Sequence, residues 1–232
     1  MVKLADRPLI ALPVKDQNLE DTLRKAKNHG VDIIEVRVDQ FSNIELDYVK
    51  DVVKKVKSYD FIVLITVRSK IEGGGRDIPD RERVKIFESV VDVADILDIE
   101  FSSEDIREEI INLAKCNGKL SLVSYHDFEK TPNVEFIQNY IDVVKSIGGD
   151  IVKFAFKVDS FEDVANIMCV THQNRDKNIV AIAMGDVGKI SRVAGFVFGS
   201  IITYTYIGES FAPGQIEISK LKEELNFYRI ID

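Results

Sequence analysis

The sequence predicts one α/β domain over residues 1–232, a closed (β/α)8 barrel of the TIM type, and three observations predict it. Eight short β-rich runs recur along the chain, helix-like segments separate them, and no Gly/Ser/Pro-rich linker or shift of composition divides it. Strands alternating with helices in this way imply parallel pairing, and the chain length falls within the roughly 200 to 400 residues that such a barrel takes. A doubly wound open sheet is the competing architecture. Against it, the turn after the first run reads Pro13-Val14-Lys15-Asp16-Gln17-Asn18, without the glycines that let a backbone approach a dinucleotide pyrophosphate.

Leu9–Val14 is the first strand, and Asn18 is placed to cap a helix over Leu19–His29 that Gly30 ends. Ile33–Val38 is the second strand, and in the helix after it Leu46, Val49, Val53 and Val56 share one side. The third strand, Phe61–Val67, leads into Gly73-Gly74-Gly75, which lacks the Lys-Ser/Thr of a phosphate loop. Ile96–Glu100 is the fourth, after which Ser103 caps a helix ending near Gly118. Leu120–Tyr125 is the fifth. Thr131-Pro132 then supplies a cap with proline in the first turn, and Val134, Ile137, Ile141 and Val144 share one helix face. Ile151–Phe156 is the sixth, followed by Ser160 and Asp163 as a capping box in which Asp replaces Glu or Gln. Ile179–Ala183 and Phe196–Thr203 complete the eight.

A hydrophobic content of 45% is enough for a sizeable core. The net charge is −8, and bases are scattered among acids, which argues against a nucleic-acid groove or an anionic membrane as partner and for a small-molecule ligand. Apolar runs such as Phe61–Val67 fall far short of the roughly 20 residues that span a bilayer. Met1-Val2-Lys3-Leu4-Ala5-Asp6 has no apolar targeting core, so a cytoplasmic protein is expected. Cys116 and Cys169 are far apart, and His29, His126 and His172 show no metal-ligand spacing, so neither a metal nor a redox centre is expected. Cys169 reads as a buried thiol on a helix face, and Cys116 as structural.

Polar residues collect where a barrel puts its βα loops, at the C-terminal ends of strands. The second strand carries Glu35-Val36-Arg37-Val38-Asp39, the third ends in Thr66-Val67-Arg68, the fourth in Asp98-Ile99-Glu100, and the fifth in Ser124-Tyr125-His126-Asp127. Glu35, Arg37 and Asp39 alternate with valines, so the strand period turns all three to one side, the interior of a barrel. One buried Glu–Arg pair can be purely structural. With Lys153 on the sixth, five strands each bring charge to the same end, which points instead to a ligand site.

Lys153 is the most pointed of these residues, set between Val152 and Phe154-Ala155-Phe156 in an otherwise apolar strand. Lost hydration and like charge from arginines such as Arg37, Arg68 and Arg192 both favour the neutral amine. Attack on a carbonyl near neutrality needs its pKa to fall from about 10.4 toward roughly 7 to 8, a difference of about 4 kcal/mol. His126 ends the neighbouring strand and titrates near neutrality, so it can move protons beside the amine. Asp98 or Glu100 on the fourth strand is placed to orient it.

These motifs together resemble the type I 3-dehydroquinate dehydratase family over most of the chain. They are Glu35-Val36-Arg37-Val38-Asp39, Thr66-Val67-Arg68 with Glu72-Gly73-Gly74, Asp98-Ile99-Glu100, Ser124-Tyr125-His126-Asp127-Phe128 with Thr131-Pro132, Val152-Lys153, Met184-Gly185 with Ser191-Arg192, and Ala212-Pro213-Gly214-Gln215. The resemblance implies a lyase that needs no cofactor or metal. It would convert 3-dehydroquinate to 3-dehydroshikimate and water by syn elimination, the third step of the shikimate pathway to chorismate and aromatic amino acids. Lys153 would form a Schiff base with the ring carbonyl, His126 would transfer protons, and Glu72 would be the acid that works beside it. Arg192 would grip the substrate carboxylate, Glu35, Arg37, Arg68 and Gln215 would hold ring hydroxyls, and Met184 would form an apolar wall. A homodimer is implied as well.

The chain departs from the family in two places. Phe211 stands before Ala212-Pro213-Gly214-Gln215 where many members have serine, so that contact is lost or moves to Ser210. The segment before Leu9 is short for the N-terminal hairpin of longer members, so a reduced hairpin is expected. The loop holding Gln215 has the composition of a lid that closes over ligand. Two other functions compete: a Schiff-base aldolase on the same barrel, and a non-catalytic barrel that binds a small carboxylate. Asp186 in Met184-Gly185-Asp186-Val187-Gly188 opposes the phosphate cradle that an aldolase acting on phosphorylated substrates needs, and the presence of Lys153, His126 and Glu72 together opposes the second.

Overall fold

The computed structural model describes residues 7–231, and the element order is that of an α/β fold of the TIM-barrel type. The strands are β1 Leu9–Val14, β2 Ile33–Arg37, β3 Ile62–Thr66, β4 Ile96–Glu100, β5 Leu120–Asp127, β6 Ile151–Lys157, β7 Ile179–Met184, β8 Ile202–Tyr206 and a short β9, Ile216–Glu217. The helices are α1 Leu19–Asn28, α2 Leu46–Lys57, α3 Asp80–Val90, α4 Glu104–Cys116, α5 Val134–Ser146, α6 Phe161–Gln173, α7 Ser191–Ala194 and α8 Ile218–Phe227. The described residues fall into two compact units, one of residues 12–123 and one of residues 7–11 with 124–231. The expected reduced hairpin before Leu9 lies largely outside the described residues.

In the first unit β2, β3 and β4 pair in parallel, with Glu35 opposite Leu64 and Thr66 opposite both Arg37 and Asp98. The strands are buried on both faces, which is why they read as near-continuous apolar runs. Val49, Val52, Val53 and Val56 of α2 are buried, whereas Leu46, the first residue of that helix, is 41% exposed. Each fully buried side chain of this size contributes roughly 1.5–3 kcal/mol.

In the second unit β6 pairs with β7, and β1 pairs with β8, all in parallel. Ile137, Tyr140, Ile141 and Val144 of α5 are buried, while Val134 at its start is exposed. Ser160 and Asp163 form the expected capping box at the start of α6.

Several local expectations are corrected. The second strand stops at Arg37, and Asp39 lies on a 3-10 turn, Val38–Gln40. Asn18 precedes α1 in a left-handed conformation with φ 52 and makes no side-chain cap. Ser103 spends its hydroxyl on Glu100 and Arg83 rather than on the helix backbone. The cap of α5 is Asn133, which accepts from the Phe136 amide, while Thr131 donates to the Lys157 carbonyl. Cys169 is exposed, as is Cys116, because the buried face of α6 is filled by Val164, Ile167, Met168, Val170 and Thr171.

The eighth strand is the largest correction. Phe196 to Gly199 form turns that continue α7, and the strand begins only at Ile202. Two glycines make those turns. Gly199 has φ +102, and an added Cβ would lie 2.4 Å from Arg175 Cβ, so the chain reverses there tightly and leaves Val197 68% exposed.

Candidate active site

In the first unit, charges from three consecutive strands form one buried network. Arg37 makes a two-pronged bond to Asp39 at 2.9 and 2.8 Å, and the same carboxylate accepts from the Arg68 and Gly75 amides. Thr66 donates to Glu35 at 2.8 Å. Arg68 reaches Asp98 at 2.8 Å and Glu100 at 3.1 Å, and Glu100 also accepts from the Ser69 amide, Ser103 and Arg83. Burial opposes the Arg68 charge, but attraction by Asp98, Glu100, Glu72 and Glu35 outweighs it and raises its pKa well above the ordinary value. Burial likewise works to raise the Glu100 pKa, but Arg68 and Arg83 hold it below the usual carboxylate range. Both oxygens of Glu100 are thus committed, which gives it a supporting role toward Arg68.

Glu72 ends a 3-10 turn, Lys70–Glu72, is 3% exposed, and accepts from the Ser102 hydroxyl. The three glycines after it shape this turn. Gly73 has φ +85, and a Cβ on Gly74 would lie 2.2 Å from the Arg68 carbonyl oxygen. The triple glycine therefore serves a close backbone approach.

In the second unit, strand alternation sorts side chains between two faces. Phe154 and Phe156 stack on each other, Phe156 touches Tyr125, and Tyr125 touches Tyr140 of α5, so these rings belong to the helix-facing layer. Lys153 and His126, one residue out of phase, therefore share the opposite face on adjacent strands β6 and β5. Register places Val180 beside Lys153 and Met184 beside Lys157, which puts Met184 on this face too, at the C-terminal end of β7. Thr203 and Thr205 of β8 bond to the Arg192 and Ile216 carbonyls, which leaves Tyr204 on the face of Lys153. Lys153 is 4% exposed, its Nζ lies 3.1 Å from the Tyr204 hydroxyl, and the nitrogen is 4.3 Å from the centre of that ring.

Arg192 on α7 is 2% exposed and donates from Nη2 to the Pro213 carbonyl, while its Nε has no hydrogen-bond partner among the described residues. Burial pushes its pKa down to about 10, only partly offset by Tyr204. Gln215 sits in the loop ahead of β9, where its Oε1 accepts from the Phe211 amide at 2.7 Å and from Ser210 at 3.1 Å. That loop is tied to the end of β7, because the Gly185 amide donates to the Pro213 carbonyl.

The structure thus brings Lys153, His126, Met184, Arg192 and the Gln215 loop into one unit, and Glu35, Arg37, Arg68, Glu72, Asp98 and Glu100 into the other. Sequence reasoning missed Tyr204 and Arg83. Tyr204 was hidden by the misplaced eighth strand, although Ile202-Thr203-Tyr204-Thr205-Tyr206 alternates as a strand should. Arg83, 1% exposed on α3, carried no signal beyond a basic residue in a charged helix.

Comparison with known proteins accounts for this arrangement of residues. The family model described as type I 3-dehydroquinase matches residues 10–232. The 3-dehydroquinate dehydratase of Aquifex aeolicus strain VF5 is 44% identical over 223 residues, covering 96% of this chain and 100% of that protein. Its crystal structure superposes with a TM-score of 0.88, covering 95% of this chain and 99% of that one. The type I 3-dehydroquinate dehydratase of Clostridium difficile, solved with covalently modified comenic acid, has a TM-score of 0.90 at 30% identity, covering 97% and 93% of the two chains. With a match of this length and a relative of this identity, the chain belongs to the type I 3-dehydroquinase family, whose members are lyases.

Proposed function

We propose that the chain dehydrates 3-dehydroquinate to 3-dehydroshikimate through a Schiff base on Lys153, as one catalytic domain over residues 1–232. The observation that carries this reading is the Lys153 amine, 4% exposed in an apolar strand, on the same sheet face as His126 of the adjacent strand. Burial favours a neutral amine, which is the nucleophile. Its nitrogen adds to the ring carbonyl and water leaves. The protonated imine then draws electrons from the adjacent carbon, whose proton His126 removes. Returned to the departing hydroxyl, that proton completes a syn elimination, and water hydrolyses the imine.

Arg192 supports a carboxylate substrate independently. A buried guanidinium whose Nε has no hydrogen-bond partner among the described residues is suited to an anion, and a planar carboxylate fits its donor geometry. Met184 supplies apolar surface on the same face. The roles of Glu72 as partner acid, of Glu35, Arg37, Arg68 and Gln215 toward ring hydroxyls, and of Asp98 and Glu100 as supports rest on the family resemblance. The shikimate pathway as setting, a homodimer and a cytoplasmic location belong to the same proposal; no helix among the described residues is long and apolar enough to cross a membrane.

Ultraviolet absorbance tests the reaction. Dehydration creates a conjugated enone carboxylate, so absorbance rises when the chain meets 3-dehydroquinate, and Lys153→Met removes the rise. Failure of the unmodified chain to generate that absorbance contradicts the proposal.

A further inference from the structure

We propose that Tyr204 is a further catalytic residue of this site: its phenol oxygen accepts a hydrogen from the Lys153 nitrogen, directs the amine, and stabilises the protonated imine formed there. The inference rests on the Schiff-base reading above and adds to it a residue that carries both a hydroxyl and a ring.

Two contacts support it. The Tyr204 hydroxyl is 3.1 Å from Lys153 Nζ, within hydrogen-bond range, and the nitrogen also lies 4.3 Å from the centre of the ring. Both side chains are 4% exposed, so the contact is shielded from bulk water and strengthened by it. Tyr204 is itself fixed. Its backbone is in register with Ala11 of β1, and the flanking threonines are tied to the Arg192 and Ile216 carbonyls.

The chemistry follows from counting hydrogens on nitrogen. A neutral amine has two hydrogens and one lone pair. With one hydrogen held by the phenol oxygen, rotation about the last carbon–nitrogen bond is restricted, and the lone pair is confined to a narrow range of directions. On condensation the nitrogen loses one hydrogen, and that hydrogen leaves with the carbonyl oxygen and one proton from imidazolium as water. One N–H remains on the protonated imine, and the phenol oxygen can keep that hydrogen throughout. The negative face of the ring attracts the same positive nitrogen. The phenol stays protonated and needs no co-reactant.

The other titratable groups around this nitrogen define the pH dependence. β7 carries none along Ile179–Met184, β5 brings His126 to the same face while Tyr125 lies in the helix-facing layer and Asp127 ends the strand, and Arg192 of α7 acts on the phenol. Stabilising a positive nitrogen favours the ammonium as well as the protonated imine. Tyr204 therefore slows condensation at low pH in exchange for a better electron sink during elimination.

The test is carbon-13 NMR of lysine labelled at Cε in the full chain, with the Lys153 signal identified by its loss in Lys153→Arg. Tyr204→Phe keeps the ring and removes the oxygen. Its Lys153 titration midpoint should fall by about one pH unit, the effect of losing one hydrogen bond to a charged group. kcat with 3-dehydroquinate should fall about tenfold with KM little changed. Fluorotyrosine at position 204, a weaker acceptor of nearly the same shape, should move the midpoint the same way by less, and it serves as the test should Tyr204→Phe not fold. An unchanged midpoint and kcat overturn the inference. If the unmodified chain forms a borohydride-trapped adduct on Lys153 while Tyr204→Phe behaves identically, only the role of Tyr204 fails. If neither protein forms an adduct, the Schiff-base reading fails and takes this role with it.

Discussion

Arg192 and Gly185 donate to the same acceptor, the carbonyl of Pro213, so the loop that carries Gln215 is fastened to a buried arginine whose Nε stays unsatisfied. The arrangement is costly for the folded chain alone, and under the proposed function that cost is offset when the substrate carboxylate arrives. Its stability and its function therefore pull in opposite directions.

Arg192→Met should stabilise the fold while disabling the enzyme. Removing a buried, incompletely paired cation should contribute about 1–2 kcal/mol, or roughly 2–8 °C in Tm for a chain of this size. KM for 3-dehydroquinate should rise about 100-fold, the loss expected for one charge-assisted carboxylate grip of about 3 kcal/mol. Thermal unfolding and steady-state kinetics on one preparation check both, and a destabilised variant with normal KM contradicts the account.

Acid should weaken the first unit through Glu100. Its folded pKa lies below its unfolded value, so its stabilising contribution is present above the unfolded value, near 4.5, and is lost as pH falls through the folded one. Arg68 and Arg83 then lose their shared partner. Urea unfolding below about pH 4.5 should show a steeper loss of stability in the unmodified chain than in Glu100→Gln, which is destabilised already at pH 7 by roughly 3 kcal/mol or more because two buried cations lose it. Parallel curves across that range count against this role.

Gly214→Ala should disturb the loop without unfolding the molecule. Gly214 has φ +74, and a Cβ there would meet the Gly185 carbonyl oxygen at 2.5 Å. The loop should detach from the end of β7, and kcat/KM should fall about tenfold or more with Tm little changed, the pattern of a positioning loop. Normal kinetics in this variant leave the loop no part in turnover.

Hydrogen exchange addresses closure directly. The amides of Ala212, Gly214 and Gln215 should exchange more slowly when a substrate analogue is bound, because the loop closes over the ligand, whereas the Phe211 amide should not, because Gln215 would leave its bonds to Phe211 and Ser210 for the ligand. Equal rates with and without the analogue argue that this loop does not close.

Much of this was legible in the sequence because strand alternation is a strong signal where it runs unbroken. Lys153 stood out as a lysine between Val152 and Phe154 in an otherwise apolar strand, and the motif order identified the family. Arg37 and Asp39 were read as one alternating set, yet the chain leaves the strand after Arg37, since a bidentate carboxylate–guanidinium pair is reachable from a 3-10 turn as well. Tyr204 was missed because the apolar Phe196, Val197 and Phe198 outweighed Gly195, where a Cβ would lie 2.5 Å from the Ser191 carbonyl oxygen, and Gly199, whose positive φ turns the chain. The cap at Ser103 failed for a different reason. A hydroxyl or amide finds its partner in three dimensions, and Glu100 with Arg83 is a better partner for Ser103 than a helix amide.

The central claim is that Lys153 becomes covalently joined to substrate, and reduction with borohydride during turnover tests it most directly. Intact mass of the unmodified chain should rise by one reduced substrate adduct, and peptide mapping should place it on Lys153. His126→Ala should still accumulate the adduct, more slowly, while turnover falls by roughly a hundredfold or more. No mass increase, or an adduct on a different lysine, would contradict the account.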